Sequence, residues 1–370
     1  MRRTTSHTLL AVGTAVAITL IGSPAQASPE VTTVATGLDN PRGLGFAPNG
    51  ALYVAEAGRG GDGPCFPGPE GDEVCWGTSG AVTRIWQGTQ SRVLTGLPSI
   101  ASPDGTTAIG PSDVSFQGTG GMYFTVGLGT DPANRAGLPT VGQEANGWLL
   151  RGKPSRHTWR QVADIAGYEA ANNPDGGEPD SNPNSVAATS GGRAVADAGG
   201  NDLLWVSASG AVSTLAVFPN LTAEAPPFLG LPPGTQIPVQ AVPTSVVRGP
   251  DGAYYVGTLT GFPFVPGLAR IYRVVPGQAP TVYVDGLTNV MDLGFSADGT
   301  LYVLEIAQHG LLSGDPTGAL IRINSDGSQD VVMSEGLFLP GGLALRGGAA
   351  YVSNCGICPG TGTVLRIPLG

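Results

Sequence analysis

The chain has 370 residues, with 59 glycines, 32 prolines and a formal net charge of −10; 12% of residues are charged and 41% hydrophobic. That balance excludes a disordered chain, since it supplies a core, and the glycine and proline content predicts many turns. A nucleic-acid partner is excluded on charge, because phosphate binding needs clustered Lys and Arg and Lys153 is the only lysine.

The first element in chain order is a targeting segment. Arg2 and Arg3 lead into the apolar run LLAVGTAVAITLIG, and Ala25 and Ala27 take the small-residue positions before Ser28. The run is too short and wrongly flanked for a spanning helix. Residues 1–27 are therefore expected to be a cleaved secretory signal peptide. Residues 28–370 are expected to be one secreted, extracellular domain with no membrane span, a monomer.

The next elements repeat. DNPRGLGFAPNGALYVAE (39–56) returns as TNVMDLGFSADGTLYVLE (288–305), each an alternating strand, a tight turn and a second strand. Asn-Gly and Asp-Gly suit such turns because both residue types tolerate positive φ. The second glycine of a comparable turn falls at 50, 121, 192, 252, 299 and 348. The shorter spacings match one four-stranded propeller blade of NHL-like type. Gly/Pro-rich tracts at 57–80, 127–147 and 171–183 read as loop insertions. The fold class is all-β: a six-bladed β-propeller, with the N-terminal strand EVTTVATG (30–37) closing a last blade that is one strand short.

The run NPDGG (173–177), DSNP (180–183), AVADAGGNDLLWVSASGAVSTLAVFP and VPTSVVRGPDGAYYVGTLTGFPFVPGLARIYRV resembles the ScyD/ScyE family of secreted six-bladed propellers. Asn184-Ser185 departs from the aromatic residue and glycine expected after DSNP. The resemblance implies a fold and a setting outside the membrane, without an established reaction.

In a four-stranded meander, the lead-in to the first strand and the link between the second and third strands share one face. That face gathers the long loops. Alignment of the lead-ins makes Gly43, Asp113, Ser185, Ser245, Asp292 and Gly342 equivalent, so Asp113 and Asp292 should face each other across the channel. Second-strand ends add Glu56, Glu305, Asn354 and Asp197, with Asn184 and Arg42 also at the channel mouth. Asp113, Asp292, Glu56 and Glu305 are candidate ligands for Ca²⁺ or another divalent cation, which takes converging oxygens. Arg42 could instead pair with one of these carboxylates. The acidic loop NNPDGGEPDSN is another calcium candidate, but its Asp175, Glu178 and Asp180 lack the ordered spacing of an EF-hand, and a solvated Pro/Gly loop is the reading preferred.

Other chemistry is sparse. His157 falls on an outer strand, and His309, in AQHG, is the one imidazole on the loop-rich face, a candidate base or an exposed loop histidine. No P-loop, nucleophile elbow or organic-cofactor motif is present. Cys65, Cys75, Cys355 and Cys358 fit two disulfides in an exported protein, either as local pairs or as cross-links between blades one and six. Two functions follow. One is a scaffold whose loop-rich face binds a protein, glycan or small molecule, and the sequence leans this way because it lacks a complete catalytic set. The other is a metal-dependent hydrolase of gluconolactonase type, with a divalent cation at the channel mouth.

Overall fold

The computed structural model describes residues 30–68, 71–118 and 121–369, together with Met1. The expected signal segment, apart from Met1, lies outside them. Among the described residues no helix is long and apolar enough to cross a membrane.

Six antiparallel sheets form the blades. Their inner strands are Pro41–Phe46, Pro111–Gln117, Pro183–Ala188, Pro243–Arg248, Val290–Phe295 and Gly342–Arg346. These strands pack in ring order, and the sixth closes on the first. The second strands of blades one to five (Leu52–Glu56, Gly121–Val126, Gly192–Asp197, Tyr254–Thr258 and Leu301–Glu305) are buried along their whole length. Each sheet lies between two neighbours, so both of its faces are dry near the axis. Outer strands such as Thr281–Leu287 bury only occasional side chains.

Proline opens the lead-in to five inner strands, at Pro41, Pro111, Pro183, Pro243 and Pro340; Val290 takes the place in blade five. A missing N–H costs nothing before the ladder begins. The ring closes as the repeats require. Thr32–Leu38 pairs antiparallel with Gly362–Pro368, from Thr32 opposite Arg366 to Leu38 opposite Gly362. The sixth blade is thus built from both chain ends, and its outer edge is supplied by the N-terminal strand.

Three features go beyond the repeat. A hairpin, Leu221–Glu224 with Gln236–Val239, stands between blades three and four. Blade one has an extra strand, Cys65–Pro67, paired with Glu73–Trp86. A helix, Ile165–Asn172, follows the outer strand of blade two. The cysteines pair locally, Cys65 with Cys75 and Cys355 with Cys358, so the cross-linked alternative is not the one adopted.

Candidate functional site: the channel and the loop-rich face

The six aligned positions do form one layer of the channel wall. Asp113 Oδ2 accepts from Ser185 Oγ at 2.8 Å and from the Val186 N–H at 2.9 Å, one blade on. Ser185 Oγ in turn accepts from the Val246 N–H at 3.2 Å. Asp292 Oδ2 accepts from the Leu343 N–H at 2.6 Å. Each side chain therefore stitches its inner strand to the next. A Cβ on Gly43 would run into Asp113 Oδ1, which is why that position carries no side chain.

Asp113 and Asp292 line a common cavity of 290 Å³ together with Phe46, Phe116 and Arg248. Those last residues lie toward the far ends of inner strands, so this cavity opens toward the hairpin-turn face, away from the long loops. Burial raises Asp113 to about 6. Asp292 is pushed well above the usual range, by burial first and then by the Asp113 charge. Burial and their mutual repulsion thus disfavour ionising both carboxyls together.

Glu56, Asp197, Glu305 and Asn354 do not join that pair. Each turns back into its own blade and receives donors from the segment leading into the inner strand. Glu56 Oε2 accepts from the Asp39 N–H at 2.8 Å, Glu305 Oε1 from Thr288 at 2.6 Å, and Asn354 Oδ1 from Phe338 at 2.8 Å. Asp197 takes the Asn182 N–H and the Ser181 hydroxyl. Glu56 is also clasped by Arg92, with Nη2 to Oε2 at 2.6 Å. These are clamps on the lead-in, which corrects the expectation that they converge on the axis. Among the described residues, no three of the expected carboxylates bring oxygens within 4.8 Å of one another. All four oxygens of Asp113 and Asp292 already accept hydrogen bonds. The channel pair is thus held by protein donors rather than left open to a ligand.

The loop-side mouth is a separate cavity of 240 Å³, lined by Arg42, Asn182, Asn184, Thr244, Met291 and Leu311 among others. The pairing expected for Arg42 is not made. Its Nη2 donates to the Ala108 carbonyl at 2.7 Å, and among the described residues no carboxylate pairs with it. Burial alone lowers its pKa to about 10. Asn184 donates to the Thr244 carbonyl at 2.6 Å and forms part of the wall.

His309 lies on the loop after Glu305, 2.8 Å from Asp315, with 61% of its side chain exposed. Burial raises the nearby Glu305 to about 7, against smaller opposing effects of the Thr288 N–H and His309. His157 is not on the expected outer strand but in the turn that precedes it, with Nδ1 2.9 Å from the Val93 carbonyl. Sequence reading missed an apolar crescent on the loop-rich face. Phe228, Leu229 and Leu231 at the hairpin tip, Phe262, Leu312 and Phe338 are all exposed, and they come from lead-ins and second-to-third links. The Phe228 and Phe262 rings are 6.1 Å apart. No periodic signal marks these residues, because they fall in irregular loops.

No family model matches the chain, and no curated protein matches it. Solved structures do. A Bacteroides thetaiotaomicron protein of unknown function is 9% identical with a TM-score of 0.55, over 91% of this chain and 75% of its own. A glucose dehydrogenase is 14% identical with a TM-score of 0.55, over 92% and 100%. Regucalcin from Agrobacterium tumefaciens, described as a calcium-binding protein, is 13% identical with a TM-score of 0.51, over 91% and 96%. Likeness at these identities shows the fold: the chain is a six-bladed β-propeller.

Proposed function

We propose that this protein is a secreted binding propeller of ScyD/ScyE type, and that its loop-rich face holds a ligand with an apolar body and an anionic group. The observation that carries this reading is Arg42. It is a guanidinium with no carboxylate partner among the described residues, half-buried in a mouth that it shares with Ile109, Leu259, Met291 and Leu311, while the exposed Phe and Leu side chains belong to loops of the same face. A desolvated guanidinium binds a carboxylate, sulfonate or phosphate through paired donors, while the crescent contributes apolar area. The signal-like N-terminus and the two disulfides support an extracellular setting.

The test is titration of the mature protein with anilinonaphthalene sulfonate, a probe with both features. One saturable site is expected, weakened about tenfold or more by Arg42→Gln with unchanged circular dichroism. Equal binding to the variant would sink the reading.

A hydrolytic reading has one observation in its favour, the Asp113–Asp292 pair of buried carboxyls with raised pKa lining the turn-side cavity, since such groups suit general acid–base work. Hydrolysis of lactones or esters that is lost in Asp113→Asn would support it. The expected metal-dependent form finds no ready ligand set in the channel.

A further inference from the structure

A second group of acids, outside the channel, has no counter-charge. Arg135 holds Asp164, Nη1 to Oδ1 at 2.6 Å, and Asp164 caps the helix Ile165–Asn172 by accepting from the Gly167 N–H at 2.8 Å. Positions 165 and 169 share one face of that helix, and this face is buried. Glu169, where an apolar residue would be the default, is only 1% exposed. Asp202 opens the third strand of blade three, is also 1% exposed, and lies directly opposite Asp197 on the second strand. Like charges opposed across a ladder repel. Gly200 lets the backbone approach, since a Cβ there would lie 3.1 Å from Glu169 Oε2 and 3.6 Å from Asp197 Cγ.

The acidic loop 172–182, read from sequence as a calcium candidate or a solvated loop, completes the group. Asp175 takes the Asn201 amide at 3.0 Å, and Asp180 is half-buried with one oxygen unpartnered. Both oxygens of Glu169 and both of Asp202 are buried with no hydrogen-bond partner. Among the described residues no Arg or Lys pairs with any of the five acids. The charges act on one another. Glu169 is raised to about 7 by burial and then by Asp197, Asp175 and Asp180, and Asp202 is raised by burial, Asp197, Glu169 and Asp175.

Buried carboxylates are normally paired or ligate a metal, because isolated burial is costly. We propose that blade three holds a divalent cation of the Ca²⁺ class between Glu169 and Asp202, with Asp197, Asp175 and Asp180 around them. No three of these acids bring oxygens within 4.8 Å of one another. Ca²⁺ suits so open a sphere, since it accepts 6–8 oxygens including waters, whereas Mg²⁺ requires a rigid octahedron. An acidic groove of 420 Å³ lined by Asp131, Glu178 and Asp180 lies beside the site. The cation would tie the helix and the 173–182 loop to blade three. Asp197 already holds the Asn182 backbone, and Asn182 lines the mouth, so the site also braces the binding face.

The test is calorimetric titration of EDTA-stripped mature protein with CaCl₂. One ion per chain is expected in the wild type and in Asp113→Asn/Asp292→Asn. Affinity should fall about tenfold or more in Glu169→Gln/Asp202→Asn. Should that double variant not fold, Asp180→Asn is expected to weaken binding in the same direction. No binding to the wild type would overturn the proposal. So would undiminished binding to both blade-three variants, or a metal-independent rise in Tm in Glu169→Gln/Asp202→Asn.

Discussion

Glu305 receives the backbone N–H of Thr288 at 2.6 Å, just as Glu56 receives that of Asp39 at 2.8 Å. The sequence separation is 17 in both. The repeated phrase is thus a hairpin locked by its last residue. After each clamped residue, Asn40 or Asn289 adopts a left-handed conformation, with φ of 49° and 43°, and turns the chain into the inner strand. Asn is among the few non-glycine residues that visit this region readily.

The two clamps differ in their partners, and this predicts different mutational costs. Glu56 is fully buried against Arg92, whose side chain is 40% exposed, and also accepts from Thr83. Glu56→Gln is expected to cost about 2–3 kcal/mol, after discounting for the solvent around Arg92. Glu305, already near half-protonated at pH 7, should lose less than about 1 kcal/mol on the same change. Urea unfolding at pH 7 measures both; equal costs would contradict the assignment.

Asp292 accepts a backbone N–H on each oxygen, from Leu293 and from Leu343. An asparagine must turn an NH₂ toward one of them. Asp292→Asn is expected to destabilise by about 1–3 kcal/mol, the cost of an unsatisfied buried donor. Thermal unfolding at pH 7 checks the direction.

Stability should depend on pH in an unusual sense. Asp113 and Asp197 hold their protons to about 6, and Glu169 and Glu305 to about 7, mainly through burial. In the unfolded chain such groups ionise near pH 4. Between roughly pH 4 and 7 the native state then binds more protons, so stability falls as pH rises through that window. For EDTA-treated protein each such group is expected to add a slope of about 1 kcal/mol per pH unit within its window. Added Ca²⁺ should flatten it, because a bound cation favours the ionised carboxylates. Stability that rises from pH 4 to 7 in EDTA would refute this account.

The disulfides are expected to stabilise separately. Cys65–Cys75 closes a loop with a sequence separation of 10, and Cys355–Cys358 one of 3. In the chain-entropy model these contribute about 3 and 2 kcal/mol. Non-reducing peptide mapping should recover only local pairs, and Cys65→Ser/Cys75→Ser should lower Tm more than Cys355→Ser/Cys358→Ser. A cross-linked peptide between blades one and six would overturn the pairing.

The sequence by itself determined the repeat, the number of blades and the closing strand. These rest on strand alternation, turn residues and spacing, which are local and recur six times. It also aligned Asp113, Ser185 and Asp292 correctly, because equivalence in a repeat fixes equivalence around a ring. Only the tertiary structure decided where side chains point. Glu56 and Glu305 end their strands at the expected height, yet each turns back to an unpaired N–H rather than toward the axis. Glu169 and Asp202 are 33 positions apart in sequence and carry no motif; they are brought into one region because the helix after blade two packs on blade three, Ile165 against Val195 and Leu204. Burial is a property of all neighbours at once, and it is burial that turns ordinary acids into a site.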